Sequence, residues 1–177
     1  LQKDDILILS GSIPGSIERN IYKKLAEMLP EGTKIVLDTR GNLLKENLNG
    51  NFLIKPNIAE LEEMFETKLS TTADIIKKCA YFLERNVKNV IVSMGGKGAL
   101  LVNKEGAYLA EAPKGELINS VGAGDSMVAG FMAGWMEKQD HEYAFHMGIS
   151  AGSASAFSEN LATREEVQAV YEQVTEG

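Results

Sequence analysis

Short apolar segments alternate along this chain with segments whose apolar residues recur every three or four positions. The first pattern is typical of buried strands and the second of amphipathic helices. Such alternation predicts an α/β fold, a mostly parallel sheet with helices on both faces. Because 177 residues, 44% of them apolar, can bury one core, we expect residues 1–177 to form a single α/β domain.

Strands and helices can be assigned from these periods. Strands are predicted at residues 6–9, 33–39, 52–54 and 89–94, followed by a hairpin of 98–103 and 106–111. Helices are predicted at residues 17–29, 42–48, 58–65, 71–85, 124–138, 141–158 and 163–174. Thr163 with Glu166 three positions later predicts a capping box at the start of the last helix.

The segment VGAGDSM, residues 121–127, precedes a predicted helix. Glycines there let backbone N–H groups point into one concavity, and the helix N-terminus adds partial positive charge. The same field favours an ionised carboxylate at Asp125, the kind of base that takes a proton from an attacking hydroxyl beside a phosphate. By itself the segment fits equally an ordinary helix start with Asp125 as N-cap. It is neither a Walker A loop, since no Lys follows, nor a dinucleotide fingerprint, since Met127 replaces the third glycine.

Four further turns follow predicted strands, where ligands of parallel sheets bind. In SMGGKGA, residues 93–99, the glycines permit close approach to a phosphate or simply form a hairpin turn. In KPNIAEL, residues 55–61, Asn57 and Glu60 fit a capping box or a site for Mg²⁺ bound through water. Residues 10–16, SGSIPGS, offer small residues for a sugar or its phosphate, and Asp38 in LDTRG is either a cap or a site residue.

Composition excludes several classes of function. The net charge of −7 without a basic stripe disfavours nucleic-acid and anionic-membrane binding, and no apolar run approaches the ~18 residues of a membrane span. The single Cys79 excludes an intrachain disulfide and fits a reducing, cytoplasmic setting. With one Cys and two His in the chain, a zinc site is disfavoured.

The order of the five turns, SGSIP, DTRG, KPNIAEL, VSMGGKGALL and NSVGAGDSMVAGF, resembles the carboxyl-terminal portion of the ribokinase-like (PfkB-type) carbohydrate kinases. The resemblance covers essentially the whole chain. GSIP and KPN..EL look most like the phosphosugar branch of that family. It implies ATP-dependent phosphorylation of a phosphosugar, with fructose 1-phosphate converted to fructose 1,6-bisphosphate as the first expectation and tagatose 6-phosphate as the alternative.

The resemblance also implies roles for individual residues. Asp125 would be the catalytic base, and the amides of Gly122, Ala123 and Gly124 would hold the transferring phosphoryl group. Asn57 and Glu60 would organise Mg²⁺ and phosphates. The remaining expected contacts are Ser93, Gly95 and Gly98 along ATP, Gly152 and Ser153 near the adenine, and Gly11 and Ser12 at the sugar. A monovalent cation is a further expected cofactor.

The family's amino-terminal sugar site and its β-sheet lid have no counterpart in these residues, and the chain opens without Met. We therefore expect a truncated nucleotide-side portion that is inactive or weak alone, whereas the complete protein could form a dimer. Two other classes stay open. One is a non-catalytic module that binds ATP or ADP, against which the retained Asp125 argues. The other is a plain α/β interaction domain, which would make five ordered matches accidental.

Overall fold

The computed structural model describes residues 1–176. Six strands occur in this range: β1 (Ile6–Ser10), β2 (Lys34–Asp38), β3 (Leu53–Ile54), β4 (Asn89–Ser93), β5 (Ala99–Asn103) and β6 (Ala107–Ala110). The helices are α1 (Ile21–Glu27), α2 (Gly41–Glu46), α3 (Ile58–Phe65), α4 (Thr72–Leu83), α5 (Ala123–Lys138), α6 (His141–Ala156) and α7 (Arg164–Glu176). A 3-10 turn, Gly95–Lys97, separates β4 from β5.

The strands form a six-stranded sheet in the order β1-β2-β3-β4-β5-β6. The first four run parallel to one another, which confirms the predicted α/β fold with a mostly parallel sheet. The chain divides into two compact units. Unit 1 comprises Leu1–Ser93 with Leu100–Ala107, and unit 2 comprises Met94–Ala99 with the chain from Tyr108 onward.

The core of unit 1 lies along its central strands. Apolar side chains of β2, β3 and β4 are buried, as are apolar residues of α3 and α4 that face inward at helical spacing. The largest of them are Leu37, Leu53, Ile54, Leu61, Phe82 and Ile91. Cys79 belongs to the same core, where burial raises the pKa of its thiol to about 12, so it packs as a small apolar residue.

The first helix is shorter than the sequence predicts. Residues 17–29 have helical spacing, yet α1 spans only Ile21–Glu27, contains no buried residue, and is preceded by turns. Leu25 and Met28 are 39% and 80% exposed. Helices gain most of their stability from burying an apolar face. Here no residue of that face is buried, and the predicted first turn of the helix does not form.

Unit 2 is built on the close packing of α5 against α6. A Cβ atom on Gly130 would lie 2.6 Å from the carbonyl oxygen of Met147, and one on Gly148 would lie 2.9 Å from that of Met127. At Gly134 the nearest atom would be Cα of Ala144, at 2.9 Å. The glycines of this small-residue run therefore let two helix backbones approach. None of the helices in the described residues has the length and apolar character needed to cross a membrane.

Candidate functional site

The carboxyl ends of β1 to β4 lie along one edge of the unit 1 sheet because these strands are parallel. The turns at this edge are joined by backbone contacts. Gly11 N–H donates to the carbonyl oxygen of Asp38 (3.1 Å), and Ser93 N–H donates to that of Pro56 (3.1 Å). Asn57 and Ser93 form an isolated parallel bridge. Gly11, Asn57 and Ser93 thus all lie at the carboxyl edge of the sheet, which is where parallel sheets bind their ligands.

Asn57 and Glu60 form the capping box of α3. Asn57 Oδ1 accepts the backbone N–H of Glu60 (2.8 Å), and Glu60 Oε2 accepts that of Asn57 (3.0 Å). Both residues are partly buried at the carboxyl edge. The capping alternative of the sequence is therefore confirmed. A carboxylate with only Oε2 in the box can still face Mg²⁺ through a water ligand, so a second role is compatible with the first.

An ion pair at the same edge was not predicted from the sequence. Lys55 Nζ lies 3.6 Å from Asp38 Oδ1, and the two side chains are only 11% and 19% exposed. Asp38 does not cap α2, whose N-cap is Arg40. The pair follows from strand register, because Leu37 is paired with Ile54 and the next residue of each strand is charged. The available signal was a pair of opposite charges at the ends of two predicted strands, with Asp38 in the last residues of one and Lys55 directly after the other.

The turn after β1 carries the two residues expected at the sugar, Gly11 and Ser12, and both are exposed. Gly11 has φ of +87° with no atom within 4 Å of an added Cβ, so its surroundings are open. Its carbonyl oxygen accepts the hydroxyl of Thr39 (3.0 Å), which ties this turn to the one after β2. Small, exposed residues held at this point leave room for a polar ligand.

The N-terminus of α5 in unit 2 begins differently from that of α3. Its N-cap is Gly122, in the left-handed region at φ +78°, and no side chain caps it. Ser126 N–H donates to the carbonyl oxygen of Gly122 (2.8 Å), which closes the first turn. Asp125 is the third residue of the helix and its side chain is exposed. The alternative in which Asp125 serves only as N-cap is therefore wrong.

The amides of this turn are available to a ligand. Ala123 N–H donates a long hydrogen bond to the carbonyl oxygen of Ser120 (3.3 Å). Within residues 1–176 the N–H groups of Gly122, Gly124 and Asp125 donate to no protein acceptor. Unpaired amides at a helix N-terminus attract anions, and the helix dipole adds to that attraction. We call residues 120–125 the glycine turn.

Gly122 is required by both conformation and space. An added Cβ would lie 2.9 Å from Cδ2 of Leu161, in addition to the strain of a positive φ. Gly152 of α6 lies on another side of the glycine turn, where its Cβ would be 3.0 Å from the carbonyl oxygen of Ala123. Ser153 follows it and is half-buried. Gly152 is thus placed beside the first residue of α5 and is needed for that contact.

The glycines between β4 and β5 divide into two kinds. Gly98 has φ of +91°, and its Cβ would lie 2.0 Å from the carbonyl oxygen of Ala110, so this position needs glycine for backbone packing. Gly95 is exposed with φ of +57° and no atom near an added Cβ. Of these two glycines, Gly95 is thus the one open to a ligand. No group of three or more His, Cys, Asp or Glu side chains able to hold a metal occurs in the described part of the chain.

Comparison with known proteins gives a consistent result. The sequence pattern of the pfkB family carbohydrate kinases matches residues 1–167. A 1-phosphofructokinase from Bacillus subtilis is 46% identical over 176 residues, which make up 98% of this chain and 58% of that protein. A 1-phosphofructokinase from Borreliella burgdorferi is 36% identical over 170 residues, 95% of this chain and 55% of that protein.

A solved structure has the same fold. Phosphofructokinase-2 from Escherichia coli, in complex with substrates and products, superposes with a TM-score of 0.90 at 27% identity, covering 99% of this chain and 59% of that one. The chain therefore spans a little over half the length of the relatives that it matches.

Proposed function

Since this chain belongs to the pfkB family of carbohydrate kinases, we propose that the complete protein transfers a phosphoryl group from ATP to a hydroxyl of fructose 1-phosphate. The observation that carries the proposal is the start of α5. There an exposed carboxylate, Asp125, lies on a turn whose amides have no protein acceptor among the described residues. The two 1-phosphofructokinase relatives support the choice of sugar phosphate.

Asp125 removes the proton of the attacking sugar hydroxyl in this proposal. The new O–P bond forms as the bond between the γ-phosphorus and the bridging oxygen breaks, and ADP leaves with that oxygen. Charge on the transferring group is met by the amides of Gly122 and Gly124 and by the helix dipole. Such positioning and charge stabilisation supply most of the catalysis of phosphoryl transfer.

The remaining candidate site residues would bind Mg²⁺, ATP and the sugar. Glu60 and Asn57 present one carboxylate and one amide, and Mg²⁺ in kinases takes few protein ligands because it retains water and binds phosphates. Those residues therefore fit the ion, which when bound neutralises phosphate charge. Ser93 and Gly95 would contact ATP phosphates, Gly152 and Ser153 the adenine, and Gly11 with Ser12 the sugar; Gly98 would act through the backbone of that turn.

Two alternatives make different predictions for the same assay. Tagatose 6-phosphate as substrate would give turnover with that sugar and none with fructose 1-phosphate. A non-catalytic nucleotide-binding module would bind ATP or ADP and turn over neither. The availability of Asp125 favours catalysis, because nucleotide binding alone needs no base. A monovalent cation is a further proposed cofactor, supported by the Escherichia coli phosphofructokinase-2 solved in complex with potassium.

The test is a coupled ADP-release assay of the complete protein with each phosphosugar, in the wild type and in Asp125→Asn. We expect kcat to fall by roughly 10²- to 10⁴-fold, the range lost with a general base, while ATP affinity is retained. Asp140→Asn is the matched control. Asp140 caps α6 through Tyr143 N–H (2.7 Å), and Asn caps equally well, so activity should persist. Near-normal turnover of Asp125→Asn would exclude it as the base.

A further inference from the structure

A hydrogen bond between the buried hydroxyl of Ser155 and the half-buried hydroxyl of Ser126 links α6 to the start of α5. We propose that Ser155 is a positioning residue for phosphoryl transfer. It acts through Ser126, which directly follows the glycine turn and holds it in place. The inference rests on the proposed function, in which Asp125 and the turn amides must hold a fixed geometry around the transferring group. All the contacts that support it lie within unit 2.

Ser155 makes two hydrogen bonds with residues far from it in sequence or beyond its own helix. Its side chain is buried, with 3% of the residue exposed. Oγ donates to Oγ of Ser126 (2.9 Å) and accepts the backbone N–H of Ala162 (3.1 Å). One hydroxyl therefore joins α6, α5 and the segment 157–163 that follows α6. Buried hydroxyl groups used in this way fix relative position, because an unpaired partner would be costly.

Ser126 passes this constraint to the glycine turn. It follows Asp125 directly, and its own N–H donates to the carbonyl oxygen of Gly122 (2.8 Å), the bond that closes the turn. The side chain of Ser126 is thus held by Ser155 while its backbone sets the first helical hydrogen bond. A shift of Ser126 would move both the base and the unpaired amides.

The other end of the glycine turn is tied to the same segment. Asn119 Oδ1 accepts the N–H of Val121 (3.0 Å), and Asn119 Nδ2 donates to the carbonyl oxygen of Glu159 (3.2 Å). The backbone N–H of Asn119 donates to the carbonyl oxygen of Ala156 (3.1 Å). The turn is therefore held on both sides by the end of α6 and residues 157–163. Of the two residues whose side chains make these hydrogen bonds, Asn119 and Ser155, Ser155 is the buried one.

Ser150 provides a matched control on the same helix. It is buried, like Ser155, but its hydroxyl donates only to the carbonyl oxygen of His146 in its own helix (2.7 Å). Both Ser→Ala changes remove one buried hydroxyl from α6. Ser150→Ala therefore controls for the loss of a buried hydroxyl from α6, whereas only Ser155→Ala breaks the link to Ser126 and Ala162.

The experiment uses the complete protein and has two readouts. In Ser155→Ala we expect faster amide hydrogen exchange in peptides covering residues 119–126, and a fall in kcat of about tenfold or more, since small misplacements of reacting groups have effects of this size. KM for ATP should change much less than kcat. Ser150→Ala should match the wild type in both readouts.

Ser126→Ala tests the same link if Ser155→Ala folds poorly. It should reproduce the loss of kcat, Ser126→Thr should restore activity by keeping the hydroxyl, and the double variant should be no slower than the slower single variant. Equal exchange and equal kcat in Ser155→Ala and Ser150→Ala would overturn the inference. If the wild type is active, Asp125→Asn is inactive and Ser155→Ala is unaffected, the role of Ser155 is overturned while the proposed function stands. A wild type without phosphoryl transfer would reject the proposed function and this role together.

Discussion

The helices α3 and α5 begin in opposite ways. At the start of α3, the side chains of Asn57 and Glu60 accept each other's backbone N–H groups. Two of the amides that have no acceptor within the helix are therefore satisfied by the chain itself. At the start of α5, the N-cap residue Gly122 has no side chain that could cap the helix, and the amides of Gly124 and Asp125 donate to nothing in the described residues. One helix end is closed by its own side chains and the other is open.

The difference indicates that the capped helix starts contribute stability, whereas the uncapped start of α5 is available to bind a ligand. The starts of α4 and α7 resemble that of α3, with boxes formed by Thr71 and Asp74 and by Thr163 and Glu166. A cap contributes stability that an open helix end gives up. The open end of α5 retains the capacity to bind an anion. The predictions below test that separation.

Among the predictions on the two helix starts, replacement of Gly122 should have the largest effect. Gly122→Ala introduces a side chain at positive φ and a contact of 2.9 Å with Leu161. We expect activity to fall about a hundredfold as the turn shifts, and the free energy of unfolding to fall by about 1–3 kcal/mol. Steady-state kinetics and urea unfolding measure the two effects. Gly96→Ala, with nothing within 4 Å of its Cβ, should leave the free energy of unfolding unchanged. Full activity of Gly122→Ala would mean that the turn tolerates rearrangement.

Glu60→Gln separates capping from metal binding at α3. Gln can replace Glu in a capping box, so stability should stay close to that of the wild type. Loss of the carboxylate should raise the Mg²⁺ concentration for half-maximal activity about tenfold, as loss of metal-site groups commonly does. Titration of activity with Mg²⁺ provides the measurement. An unchanged Mg²⁺ requirement would leave Glu60 with the capping role alone.

Asn57→Ala should reduce stability moderately. It removes the acceptor of the Glu60 N–H, and loss of an N-cap lowers the free energy of unfolding by about 1 kcal/mol. Asn57→Asp keeps the acceptor and serves as the control in urea unfolding. If Asn57→Ala were as stable as Asn57→Asp, the closed start of α3 would contribute nothing measurable.

The smallest effect concerns pH at the box of α4. Hydrogen bonds from the Thr71 side chain and backbone hold the pKa of Asp74 below its ordinary value of 3.8. Stabilisation from a depressed pKa is present above the unfolded value and is lost as pH falls through the folded one. Asp74→Asn should therefore be less stable than the wild type at neutral pH, and thermal unfolding should show that gap closing in acid. A gap independent of pH would contradict the assignment.

Local sequence determined most of the fold. The residues of α3 match the predicted 58–65, and the alternation of periods predicted a mostly parallel sheet, as β1 to β4 form. The boxes at Asn57 and Thr163 follow from residues three positions apart. These features depend on neighbours in the chain, so sequence spacing is sufficient to predict them. The single domain and the individual site roles stay predictions.

Tertiary structure decided what depends on distant residues. Gly98 is required because the backbone at Ala110 approaches it, and α1 is short because its apolar face is not buried. The link between Ser126 and Ser155 joins positions 29 residues apart. Residues 121–127 by themselves left Asp125 equally a cap or a base, and only the resemblance carried by the five turns implied the base. The structure places the N-cap at Gly122 and Asp125 in the first turn of the helix, where its carboxylate is exposed.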